Sequence, residues 1–130
     1  MSGNHEATIR EGIAALNRGD ADGIASMLDP EVELVPLRAV LDGSVYRGHD
    51  GMRRWLADMS EDWAEFELTA EEVRDLGPER VLVQATMRLR GQSGVALSSA
   101  AAWLCDMRGG KVSRIRFYEH AAAALVAAEE

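Results

Sequence analysis

The chain has 130 residues, 47% of them apolar and 28% charged, which excludes a disordered polymer and predicts one domain, residues 1–130, with a real core. A formal charge of -8 disfavours nucleic acid as a partner, because phosphate binding needs clustered Lys and Arg. Arg88 with Arg90, and Arg114 with Arg116, are read as solvated or salt-bridged strand faces.

The first residues, "MSGNHEATIREG", lack the apolar segment of a secretory leader. The run "AAAALVAA" at 121–128 is too short to span a bilayer. Cys105 is the only cysteine, so no intrachain disulfide forms. These readings predict a cytoplasmic protein with no membrane partner.

In chain order, "NHEATIREGIAALNRGD" predicts a helix. Ile9, Ile13 and Leu16 share one face, Asn4 can cap the start, and Gly19 suits a left-handed stop. Asp20 can cap a shorter second helix carrying Ile24, Met27 and Leu28. "EVELVP" at 31–36 alternates as a strand and ends at Pro36. Residues 37–44 read as a loop and "VYRG" as a brief extended piece. The next helix places Met52, Trp55, Leu56 and Met59 on one face.

Everything beyond that helix reads as sheet. "AEFELTAEEVRDLG" is a long strand with a bulge near Ala70, followed by a turn at Gly77-Pro78. "RVLVQATMRLRG" puts Val81, Val83, Ala85, Met87 and Leu89 on one face, and Leu82, Gln84, Thr86, Arg88 and Arg90 on the other. "VALSSAAAWLCDM" and "KVSRIRFYEH" complete a meander, and "AAAALVAAEE" ends the chain as a helix. Helices first and an antiparallel meander afterwards predict an α+β protein with helices on one face of a curved sheet.

Three stretches carry a resemblance: "ALNRGDADGIASMLDPEVELV" (15–35), "VYRGHDGMRRWL" (45–56) and "GGKVSRIRFYEHAAAAL" (109–125). In this order the chain resembles the nuclear transport factor 2-like superfamily, and within it the SnoaL-like group. The resemblance implies a cone, in which a curved antiparallel sheet wraps an N-terminal helix layer around an apolar cavity. It also implies a homodimer through the outer sheet face, here Leu82, Gln84, Ala96, Ser98, Ala100 and Leu104. It does not supply a function, because the fold hosts enzymes and binding modules alike.

The acid/base sets of the family's enzyme branches are missing. Gly12 stands where the ketosteroid isomerase branch has a tyrosine, Val35 where it has its base, and Ala101 near its protonated aspartate. Arg88 and Arg90 lack the acids of an epoxide hydrolase relay. His5, His49 and His120 are read as surface residues rather than the inward histidines of a scytalone dehydratase. Those histidines and Cys105 have no ligand spacing, so neither metal nor cofactor is expected.

By parity the cavity is lined by Val83, Ala85, Met87, Leu89, Leu97, Ser99, Ala101, Trp103, Ile115 and Phe117, with Leu34, Trp55 and Met59 completing it. Such a pocket accepts a small hydrophobic ligand. Two readings of Glu119 stay open. Either the strand carries it inward against Phe117 and Trp103 as a general acid/base, as the last-strand acid of SnoaL-like cyclases implies, or it caps the final helix. Tyr46 either orients a ligand or packs at the rim, Arg38 is a candidate contact for an anionic head group, and Ser99 is a candidate hydrogen-bond donor in the pocket. The two functions left are a small-molecule-binding module and an acid/base enzyme using Glu119 on an apolar cyclic substrate.

Overall fold

The computed structural model describes residues 2–37 and 39–129, and for 2–4, 39 and 40 the main chain only. The expected Asn4 cap and Arg38 head-group contact therefore lie outside what is described. The elements run α1 (Ser2–Arg18), α2 (Ala21–Met27), β1 (Leu28–Val35), α3 (Ala39–Asp42), β2 (Tyr46–Arg47), α4 (Gly48–Asp62), β3 (Trp63–Asp75), β4 (Arg80–Gly91), β5 (Ala96–Arg108), β6 (Lys111–Tyr118) and α5 (Ala121–Ala128).

The punctuation residues act where the sequence places them. Gly19 takes φ +70°, the left-handed conformation that lets α1 stop abruptly. Asp20 then accepts the Gly23 N–H at 3.0 Å and caps α2. That hydrogen bond, helped by Arg18, holds the Asp20 carboxyl below the usual range. One boundary differs: β1 begins at Leu28 rather than 31, running straight out of α2. Its register with β6 shifts between Leu28 and Glu33, which spares Pro30 from a ladder bond it cannot donate. The expected loop at 37–44 also holds one helical turn, α3.

The six strands form one sheet in the order β2-β1-β6-β5-β4-β3. Only β1 and β6 run parallel; the other neighbours are antiparallel. The sheet is curved and unclosed, and β3 shifts register between Ala70 and Glu72, the bulge expected there. A bulge bends its strand and increases the local twist, which helps a flat meander curl around helices. The architecture is the α+β class expected.

The inner face receives α1, α2 and α4. Ile9, Ile13, Leu16, Ile24, Met52 and Trp55 from these helices share one core with Val81, Val83, Trp103 and Ile115. At the free edge of the sheet, Asn17 lies along β3 as another strand would. Its amide donates to Leu68 O at 2.8 Å and accepts the Leu68 N–H at 2.9 Å.

The outer face corrects an expectation. The terminal helix folds back over it, so that Ala124 packs with Leu82 and Ala102, and Leu82 and Leu104 are 0% exposed. Arg80 fastens this arrangement by donating to Asp106 at 3.1 Å and to Ala128 O at 3.0 Å. Leu82 and Leu104 are therefore not available as dimer contacts, whereas Ala96, Ser98 and Ala100 stay exposed. Among the described residues, no helix is long and apolar enough to cross a membrane.

Candidate functional site

The residues expected to line one cavity divide into two groups. The lower inner face, toward the β5–β6 turn, is filled. Trp55, Trp103 and Phe117 stack as a triad with ring centroids 4.9–6.3 Å apart, a spacing that adds pair energy to plain burial. Val83, Ala85 and Ala101 are buried core beside them. What remains open is an apolar void of about 30 Å³, touched by Leu34, Trp55, Trp103 and Ile115 among others, about enough for one water but too apolar to hold it.

Gly12 explains much of this filling. A Cβ there would lie 1.6 Å from Met27 Sδ, so the thioether rests directly on the α1 backbone. The space that a side chain at position 12 would occupy belongs to methionine, the most adaptable of core fillers.

The upper inner face is open. Between the C-terminal ends of α1 and α4 and the first turns of the meander lies a cleft of about 860 Å³. Its apolar surface comes from Leu16, Leu56, Met59, Phe66, Leu89 and Leu97, while Asn17, Ser60, Glu65, Glu67, Arg88 and Arg90 add polar and charged residues. Register explains why these meet: Phe66 pairs with Leu89 and Leu89 with Leu97, on one face.

Charged residues border this floor in opposite-sign pairs. Glu65 and Glu67 sit opposite Arg90 and Arg88, one residue out of phase with Phe66, so their side chains leave from the other face. There they form loose pairs, Glu65–Arg90 at 3.6 Å and Glu67–Arg88 at 3.8 Å. Arg18 stands at the rim, bonded to Asp20 at 3.3 Å. A cleft built this way can desolvate an apolar molecule, and Glu65, Glu67, Arg88 and Arg90 also border it.

Of the expected lining, Met59, Leu89 and Leu97 reach the cleft, while Met87 and Phe117 are half-buried against the core. Ser99 is exposed and donates to Ala100 O at 3.2 Å rather than into a pocket. The placement of Glu119 differs from the inward reading. β6 ends at Tyr118, and Glu119 is exposed in the bend before α5, so it does not pack beneath Phe117 and Trp103. His120, not Glu119, caps α5, its Nδ1 accepting the Ala123 N–H at 3.2 Å.

Tyr46 is buried, and its hydroxyl donates to Asp58 at 2.5 Å beside a surface pocket of about 310 Å³ that also includes Ser44 and Arg54. Sequence reasoning missed Asp58, whose α4 position carries no periodic apolar signal. It also missed Leu16, Leu56 and Phe66 as cleft residues, although the alternation of Phe66, Leu68 and Ala70 marks an inward face. Burial pushes the Cys105 thiol up to about 12, which leaves it a packing residue.

An unclosed sheet curved over helices with an apolar mouth at one end is the architecture of the nuclear transport factor 2-like proteins. The chain belongs to the SnoaL-like domain family, whose model matches residues 9–115. Its fold is similar to that of TerC, solved as a co-crystal with polyporic acid, at 24% identity and a TM-score of 0.82, covering 95% of this chain and 96% of that one. A protein of unknown function from Burkholderia pseudomallei is similar at 21% identity and a TM-score of 0.80, over 95% of both chains. A Mycobacterium tuberculosis protein in complex with estradiol-17beta-hemisuccinate matches at 14% identity and a TM-score of 0.76, over 88% of this chain and 92% of that one. No curated protein matches the sequence.

Proposed function

We propose that this protein binds a small, largely apolar molecule in the upper cleft, and does so without transforming it. The observation that carries the reading is the cleft itself: a space of about 860 Å³ whose floor is apolar, with Glu65, Glu67, Arg88 and Arg90 also bordering it. Burial of apolar surface then supplies the affinity, at about 25 cal/mol per Å² before the costs of ordering the ligand. That TerC and the Mycobacterium tuberculosis protein were solved with organic molecules is consistent with this reading at the level of the fold.

Titration with the neutral fluorescent probe N-phenyl-1-naphthylamine tests it. The wild type should bind, Leu89→Trp, which fills the cleft, should weaken binding at least about tenfold (about 1.4 kcal/mol), and Glu119→Gln should bind as the wild type does. Equal binding by Leu89→Trp would move the site elsewhere. Turnover of an aromatic ketone that Glu119→Gln abolishes would replace this reading with the acid/base enzyme.

A further inference from the structure

The pocket of about 310 Å³ beside Tyr46 shares no bordering residue with the cleft. It lies where β2, and the two residues before it, run against α4. A glycine makes this contact. A Cβ at Gly51 would lie 2.8 Å from the Tyr46 carbonyl carbon, so its absence lets the β2 main chain rest directly on the helix. Tyr46 is thereby anchored about two turns before Asp58. Its ring is buried, and its hydroxyl donates to the Asp58 carboxylate.

That hydrogen bond decides where the local charges go. Arg54 and Asp58 are four residues apart on α4, the spacing at which opposite charges meet on a helix. They do not pair. Asp58 Oδ2 is held by Tyr46, and the Arg54 guanidinium has no hydrogen-bond or salt-bridge partner among the described residues. Its neighbours in sequence and space are engaged, Arg53 with Asp22 at 2.9 Å and Arg47 with Glu33 at 2.6 Å. Asp58 Oδ1 and the Ser44 hydroxyl also have no partner among the described residues. The pocket is thus bordered by one cation, one anionic oxygen and one hydroxyl, all unbonded, with Val45 and Ala57 as apolar flanks.

We propose that this pocket binds a free α-amino acid with a short apolar side chain. Such a molecule carries both complementary charges on one carbon. Its carboxylate takes the Arg54 fork, which suits that planar group. Its ammonium donates to Asp58 Oδ1, while Tyr46 acts as a positioning residue that keeps Asp58 from closing onto Arg54. A plain acid or a plain amine would leave one of the two charges unmatched, so each is disfavoured. A space of about 310 Å³ is at the small end for ligand sites, in keeping with a molecule of this size. The pair faces solvent, which sets the affinity at roughly millimolar. The site stands on its own groups and does not depend on the ligand proposed for the cleft.

Amide chemical-shift titration with L-leucine tests the assignment. The wild type should show saturable shifts at Val45, Ala57 and Asp58 and none at Leu89. Isocaproate, which lacks the ammonium, and isoamylamine, which lacks the carboxylate, should each bind at least about tenfold more weakly. Arg54→Gln, at an exposed position, should bind L-leucine and isoamylamine alike. Asp58→Asn, which keeps an acceptor for the Tyr46 hydroxyl, should bind L-leucine and isocaproate alike. Leu89→Trp, which fills the cleft, should bind L-leucine as the wild type does. No saturation by L-leucine, a half-molecule that binds as tightly, or a charge variant that discriminates as the wild type does overturns the site. Loss of L-leucine binding in Leu89→Trp overturns it too, by placing the amino acid in the cleft.

Discussion

The two halves of β5 are both uncharged and opposite in situation. From Ala101 to Cys105 the strand is buried on both faces, by the aromatic triad and helices within and by α5 without. From Ala96 to Ala100 it is exposed on both. Hydropathy does not separate "ALSSA" from "AAWLC" sharply enough to foretell this. The lower half is covered because other elements end over it, and the upper half is open because α5, α1 and α4 do not reach that far. A sheet becomes core or binding surface according to what its neighbours' lengths leave uncovered.

The hardest way to break the contrast is at its buried end. Trp103→Ala should lower stability to urea by about 3–5 kcal/mol, the usual cost of emptying an aromatic core site. Leu97→Ala, at 50% exposure, should change it by no more than about 0.5 kcal/mol. Equal losses would mean that the upper half is covered after all.

The filled state of the lower half can be probed through Gly12. Gly12→Ala should cost about 1–3 kcal/mol by overpacking against Met27. In a Met27→Ala background the same change should cost much less, since neighbours that share a space are not additive. A double-mutant cycle by denaturation measures the difference.

At the free edge along β3, Asn17→Ala should cost about 1–2 kcal/mol, the worth of two hydrogen bonds near a surface. The Leu68 amide should then exchange faster. Cys105 offers a subtler reporter. With its thiol pushed up to about 12 by burial, alkylation at pH 8 should proceed only as fast as the protein unfolds. Rapid labelling of the native state would show the lower half to be looser than its packing.

The smallest effect belongs to Asp20. Its folded carboxyl lies below the ordinary aspartate value of 3.8, so its contribution to stability is present above that value and is lost as pH falls through the lower, folded one. Asp20→Asn keeps a capping acceptor and should flatten that part of the acid limb in a pH series of thermal melts, through a small loss of stability at neutral pH and none at acid pH.

The meander was legible because alternation survives in every strand, and even the bulge near Ala70 announced itself as a break in phase. The start of β1 was not legible, since Leu28 completes the apolar face of α2 as well as it begins a strand. The return of α5 over the outer face was hidden because eight small apolar residues show no stripe to say which side packs. The candidate site was half legible. Parity picked out the inner face, but whether that face was filled depended on Met27 reaching Gly12 across the chain, a contact that no local pattern encodes. Glu119 turned on a single strand-end residue, the kind of boundary that tertiary context decides.

The place of β6 has a consequence for how the molecule comes into being. This strand lies in the middle of the sheet, between β1 and β5, yet it is made last of the six. Leu34 of β1 meets Ile115 of β6 as its parallel neighbour, so during synthesis the N-terminal third waits, without its main strand partner, for nearly the whole chain to emerge. Pairings so distant in sequence are slow to form, and a nascent chain stalled before residue 111 would hold helices and a hairpin apart from the β3–β5 meander. Assembly is therefore gated by the arrival of a single strand, and truncations short of it should yield fragments that depend on chaperones rather than smaller folded proteins.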